Sequence, residues 1–313
     1  LKNLITNQKI IIFSFFFLFF TQNYQIHAQF TANEIAERAK WEEFLKTAEI
    51  VEYRDVGHGV TRPYKLTLKK DTIEACGVWK NPTGMQDGYL EGWQYEIAAY
   101  EMDKLLELHM VPPTVEREFN GRRGSLQLWV KHKCNLYDLV HKKIKFPRSK
   151  LDPMNKMKYL ARAFDSLIAN EDRTQQNVLL TEDWRTILID HSRSFRYSMQ
   201  FANRLVFGKK GIMGRRLFKQ LPRSFVEKVR ALNAENVHRA LAPYLKKKEM
   251  DGILKRKKML LDEIQEMIDD EGEEKILYSS RSIEFADYSV RTKSSSCPIA
   301  CQFFWSKNTQ RLP

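Results

Sequence analysis

Apolar and polar positions divide the chain into a strand-rich stretch followed by a helix-rich one. Over residues 29–48, Ile35, Trp41, Phe44 and Leu45 fall at spacings that build one apolar stripe, so a helix is expected. Thr31, with Glu34 three residues on, reads as a capping box at its start. Runs at residues 50–54, 64–68 and 75–80 read as strands, and Pro82 stops the third. From about Gly92 to Leu108, Trp93, Ile97, Tyr100, Leu105 and Leu108 share a broad helical face that Val111-Pro112-Pro113 ends. Two further strands fit residues 114–119 and 125–130, joined by a turn over Gly121-Arg122-Arg123-Gly124. Residues 50–131 are therefore expected as a small sheet with one inserted helix. Residues 132–270 read as mainly helical, with helices over 152–169, 235–244 and 249–268 and a stripe through Leu221, Phe225, Val229 and Leu232. Periodicity is lost over 271–313, which is expected as a flexible tail. No internal repeat is visible.

The first 28 residues have a different pattern. Lys2 and Lys9 precede an almost wholly Ile, Phe and Leu run from Ile10 to Phe20, and polar residues then lead to Ile26-His27-Ala28. This is the layout of a secretory signal, with cleavage expected after Ala28 and the mature chain exported. An uncleaved membrane anchor is the alternative, because Ile26 is bulky for its place before the cleavage site.

Composition narrows the partners. The formal net charge of +13 favours anionic ones: nucleotides, phospholipid headgroups, nucleic acid or acidic proteins. The densest basic groups, Lys246-Lys247-Lys248 and Lys255-Arg256-Lys257-Lys258, lie in a helical pattern beside acids and read as solvated helix faces. No zinc-finger, RNP-type or basic-zipper signature accompanies them, so nucleic acid is disfavoured, while membrane-surface association stays open. Cys76 lies in a strand-like run and is expected as a buried thiol. Cys297 and Cys301 leave zinc binding and a tail disulfide both open.

The chemistry gathers in Asn170-Glu171-Asp172-Arg173-Thr174-Gln175-Gln176-Asn177 and, after the run Thr186-Ile187-Leu188-Ile189, in Asp190-His191. An acid, an amide five residues on and a second acid after a short strand form the ligand order of a phosphoryl-transfer site. Asp172 would orient or deprotonate an acceptor hydroxyl; Asn177 and Asp190 would hold a divalent metal through hard oxygen donors. Such a site also needs a cation on the phosphates and an acid to hold it. Lys80 ends a strand and Glu96 lies one turn into the next helix, so packing of that helix on the sheet would join them. Alone, Lys80 reads as a solvated strand-end lysine and Glu96 as an exposed helix acid.

These blocks resemble the atypical protein-kinase-like superfamily, which includes phosphatidylinositol 3/4-kinases, HipA-type kinases and secretory kinases of the Golgi casein kinase type. The resemblance runs through Gly57-His58-Gly59, Val78-Trp79-Lys80, Tyr95-Glu96-Ile97-Ala98-Ala99-Tyr100, Phe164-Asp165-Ser166-Leu167-Ile168-Ala169-Asn170-Glu171-Asp172-Arg173, Asn177-Val178-Leu179-Leu180 and Ile189-Asp190-His191-Ser192-Arg193-Ser194-Phe195. It is strongest toward bacterial phosphatidylinositol 3/4-kinase-like proteins. It implies an α+β, bilobal kinase-like fold and a kinase using ATP with Mg2+ or Mn2+ to phosphorylate a hydroxyl on a protein Ser/Thr or, second, an inositol lipid. A silent nucleotide-binding pseudokinase is the reading from another class. The resemblance further implies that Lys80 meets the phosphates, that Gly57, Gly59 and Thr61 cover them, and that Trp129, Val130 and Lys131 belong to the hinge against adenine. Where many relatives carry His after Asp-Arg this chain has Thr174, which implies a less ordered catalytic loop. Arg173 is expected to make structural ion pairs.

Overall fold

The computed structural model describes residues 30–56, 63–86, 88–213 and 219–279. The signal segment, Gly57, Gly59, Thr61, Cys297 and Cys301 lie outside them. Among the described residues no helix is long and apolar enough to cross a membrane.

The N-terminal helix is two pieces, α1 (Ala32–Ala36) and α2 (Arg38–Thr47), and the Thr31–Glu34 capping box forms as the sequence indicates. Five antiparallel strands follow: β1 (Glu49–Asp55), β2 (Tyr64–Lys70), β3 (Ile73–Lys80), β6 (Thr114–Phe119) and β7 (Arg122–Leu128), in the order β1-β2-β3-β7-β6. Between β3 and β6 come the hairpin β4 (Thr83–Gln86) and β5 (Tyr89–Gly92) and the helix α3 (Trp93–Leu105). Period-2 alternation assigns the faces of the sheet. Leu66, Leu68, Trp79 and Leu126 pack with Phe44 and Leu45 of α2 into a small core. Lys80, one residue on from Trp79, points to the opposite face, toward α3.

Two sequence expectations shift. Register pairs Phe119 with Arg122, so the turn is Asn120-Gly121, both at positive φ, and Arg122 to Gly124 belong to β7. Close approach explains why Gly124 is a glycine: a Cβ there would collide with the Lys80 carbonyl oxygen and the Trp79 ring. Cys76, expected as a thiol, is disulfide-bonded.

The second lobe is helical. A strand β8 (Cys134–Asn135), α4 (Leu136–His141), the long α5 (Leu151–Ile168), and a hairpin β9 (Val178–Leu180) with β10 (Thr186–Leu188) precede α6 (Met199–Asn203). Then come β11 (Leu221–Pro222), α7 (Arg223–Ala231), α8 (Ala234–Leu241), α9 (Lys247–Glu271), α10 (Glu273–Ile276) and β12 (Leu277–Tyr278). Phe164, Leu167 and Ile168 of α5 are fully buried with Phe225, Val229, Ile253, Leu260 and Ile264. The same core includes Ala98, Ala99 and Met102 of α3, so α3 joins the two lobes. The first residues of the expected tail are built in: Ile276 and Leu277 are buried and β12 pairs with β11.

Candidate active site

Helix α5 delivers the acid loop. It ends with Ala169 in the left-handed region (φ 53°), and Asn170 N–H donates back to the Asp165 carbonyl at 2.8 Å, a Schellman-type closure. The fully buried Asp165 accepts from Asn170 Nδ2 (2.9 Å) and from Arg173 Nε and Nη2 (3.0 and 2.9 Å). Asn170 Oδ1 accepts from the Asp172 N–H at 3.1 Å. A buried carboxylate without partners would be costly, so the bidentate Arg173 contact makes Asp165 tenable.

Arg173 also donates through Nη1 to the carbonyls of Asn177 (3.1 Å) and Ile189 (2.7 Å), and through Nη2 to His191 Nε2 (2.8 Å). One guanidinium thus ties the acid loop to both metal-ligand candidates. An arginine only donates, so His191 Nε2 is the acceptor and Nδ1 carries the proton. Burial and the neighbouring Arg173 push His191 well below its usual range, so it is neutral. In this chain, with Thr174 after Asp-Arg, the Arg173 guanidinium meets His191, three residues past the end of β10.

Lys80, Glu96 and Asp190 meet directly. Lys80 Nζ lies 2.8 Å from Glu96 Oε1 and 2.8 Å from Asp190 Oδ1. The other oxygen of Glu96 accepts the His191 N–H at 2.9 Å, which locks α3 to the Asp190 segment. Asp190 is left-handed at φ 61°, a conformation Asp tolerates better than most residues. Burial works against the Lys80 ammonium, but the two carboxylates outweigh it and raise its pKa. Burial raises Glu96, with Lys80 opposing; at Asp190 burial is outweighed by Lys80, which holds that carboxyl below its usual range.

Asn177 Nδ2 donates to the Asp172 carbonyl (3.1 Å), and Ile189 N–H donates to the Asn177 carbonyl (3.1 Å). Asp172, Asn177 and Asp190 are therefore held in one local frame. The Asp172 carboxylate pairs with Arg193 Nη1 at 3.3 Å. Burial raises its pKa to about 6; Arg193 opposes this, while Asp190 and Glu91 add to it.

The donor set fits a hard cation. With Nδ2 donating, the free group of the Asn177 amide is its oxygen, and Asp190 supplies a carboxylate. Among the described residues no cluster of three or more His, Cys, Asp or Glu could hold a metal ion. Two protein oxygens, with the remainder from phosphate and water, is the usual Mg2+ arrangement at nucleotide sites.

The hinge candidates follow β7, which ends at Leu128. Trp129 N–H donates to the Cys76 carbonyl (2.9 Å), beyond the end of β7, and the Lys65 ammonium lies 4.2 Å over the Trp129 ring. Val130 packs beside Phe30, Leu179 and Ile187, and Lys131 is exposed.

The hydra Fam20 structure, solved with sugar, superposes with TM-score 0.61 at 15% identity, covering 82% of this chain and 96% of that one. The fold is kinase-like. The Golgi casein kinase superposes with TM-score 0.56 at 16% identity over 78% of this chain and 79% of its own; its Mn/ADP-bound form gives 0.56 at 15% over 80% and 81%. No family model matches the sequence, and no curated protein matches it.

Sequence reasoning missed Glu91 and the role of Arg193. Glu91 is buried in β5, accepts from Arg193 Nε at 2.8 Å and from Ser192 Oγ at 3.0 Å, and reaches the site from a hairpin the pattern did not reveal. The only local signal was a short Tyr89-Leu90-Glu91 run between Gly88 and Gly92.

Proposed function

We propose that this chain is an ATP-dependent kinase that moves the γ-phosphoryl group to a hydroxyl, with a protein serine or threonine as the favoured acceptor. The observation that carries this is Lys80 held at 2.8 Å by both Glu96 and Asp190, beside a loop that joins Asp172 to Asn177. In this reading Asp172 accepts the hydroxyl proton, Lys80 meets the phosphates, and Asn177 with Asp190 holds Mg2+ or Mn2+. The bound ion would neutralise charge on the phosphate oxygens. The Golgi casein kinase with Mn/ADP supports the choice of nucleotide and metal. A sugar hydroxyl is the second acceptor reading, favoured by the hydra Fam20 solved with sugar. We retain the lobe division at 131/132 and the nearer likeness to bacterial phosphatidylinositol 3/4-kinase-like proteins as parts of this proposal. Export through the N-terminal signal belongs to it as well; fractionation of the expressed chain, with the protein found only in the cytosol, would refute export.

The test is a thermal-shift titration of the full chain with ATP, with and without Mg2+ or Mn2+, beside Asp190→Ala. Metal-dependent stabilisation that Asp190→Ala loses is expected. Equal stabilisation of both proteins would remove Asp190 from the site, and no shift in the wild type would sink the kinase reading.

A further inference from the structure

Resting on that kinase reading, we propose that Arg193 is a positioning residue: it holds the Asp172 carboxylate for proton transfer and is itself fixed by Glu91 and Tyr89 of β5. Arg193 follows Asp190 by three residues, and the sequence alone assigns it no role. Its Nε and Nη2 each lie 2.8 Å from Glu91 Oε1, and its Nη1 lies 3.3 Å from Asp172 Oδ2. Its guanidinium carbon sits 4.4 Å over the Tyr89 ring. Tyr89 and Glu91 are two apart on one strand and so share a face. A planar fork held along one edge and on one face keeps a defined third direction, and that direction is Asp172.

Glu91 is itself constrained. Its side chain is 2% exposed, its second oxygen accepts from Ser192 Oγ, and Gly92 N–H donates to the Ser192 carbonyl at 3.0 Å. A carboxylate so buried requires a cation, so Glu91 and Arg193 fix each other. The backbone of Asp172 is set by Asn170 and Asn177, yet among the described residues Arg193 is the only partner of its carboxylate. With Oδ2 engaged, Oδ1 remains to take the hydroxyl proton. The hydroxyl oxygen then bonds to the γ-phosphorus, the bond from that phosphorus to the β,γ-bridging oxygen breaks, and ADP leaves with the electron pair. With water as acceptor the products are ADP and inorganic phosphate, and the proton passes from Asp172 to solvent.

Turnover of ATP in water needs no identified acceptor, so it serves as the assay, with Mn2+ and the full chain. Arg193→Ala is expected to lower kcat by about tenfold or more while the KM for ATP stays within about threefold of wild type. ATP-Mn2+ stabilisation should persist in this variant, and millimolar guanidinium should restore part of kcat. Glu91→Gln should lower kcat in the same direction by loosening Arg193, and Arg193→Lys should fall between wild type and Arg193→Ala. Unchanged kcat in Arg193→Ala overturns the assignment. So does a joint loss of kcat and ATP affinity, which would mark a phosphate contact or a damaged site. A wild-type chain that binds ATP-Mn2+ but never turns it over also overturns it. A wild-type chain that fails to bind ATP-Mn2+ instead overturns the kinase reading on which it rests.

Discussion

At the scale of single residues, Asp172 shows what the site costs the fold. Its folded pKa of about 6 lies above its ordinary 3.8, chiefly because it is buried. A carboxyl raised in this way contributes stability below the ordinary value and loses it as the pH climbs through about 6. At neutral pH the ionised acid therefore opposes folding. Its side chain is 35% exposed, and after discounting for solvent the penalty is about 1 kcal/mol. Asp172→Asn should accordingly unfold at higher urea than wild type at pH 7.5, lose that advantage near pH 4, and be inactive at both. Equilibrium urea titrations at the two pH values check this; a less stable Asn variant at pH 7.5 would contradict it. The opposite case is Asp165, where Asp165→Ala strips Arg173 of its carboxylate partner, leaves a charge buried, and should cost about 3 kcal/mol in the same assay.

At the scale of elements, the contact between β3 and β7 carries Lys80. Gly124→Ala would drive a methyl into the Lys80 carbonyl and the Trp79 ring, so the strands must part. The expected cost is about 1–3 kcal/mol, read as a lower Tm, together with weaker ATP-metal stabilisation because Lys80 moves. Elements with long apolar periodicity were legible in the sequence: α3, α5, α7 and α9 lie where their stripes place them. So were the acid loop and its amide, because their spacing is local. The β4–β5 hairpin was not legible. Each strand is four residues long, too short for alternation to stand out, and its importance comes from Glu91, whose partner lies 102 residues away. Arg193 stayed hidden for the same reason: the contacts that fix it, to Tyr89 and Glu91, cross between lobes. The turn at Asn120-Gly121 was misplaced because Gly124, read as turn chemistry, is a glycine of close packing.

At the scale of the molecule, the N-terminal helices act as a brace. Phe44 and Leu45 fill the small lobe, and Arg117 Nη2 reaches back to the Ala48 carbonyl at 2.8 Å. Phe30 packs with Leu179 and Ile187 beside the acid loop, and Glu34 pairs with Arg185 at 2.6 Å. Leu45 is fully buried, so Leu45→Ala should cost about 2–5 kcal/mol in denaturant. A chain beginning at residue 49 should lose more, by uncovering one whole face of the sheet. If it kept the wild-type Tm, the brace would be ornamental.

The grip of Lys80 on Asp190 has a consequence for order of arrival. An ammonium already neutralises the carboxylate that a divalent cation would seek, so without nucleotide this pair would offer a free cation little attraction. Phosphates would give the lysine another anion to serve and release Asp190. Mn2+ added alone should therefore leave the Tm almost unchanged, while the same concentration with nucleotide should raise it. On the kinase reading, a protein built this way would take its metal as part of a pair and be spared from sequestering bare ions.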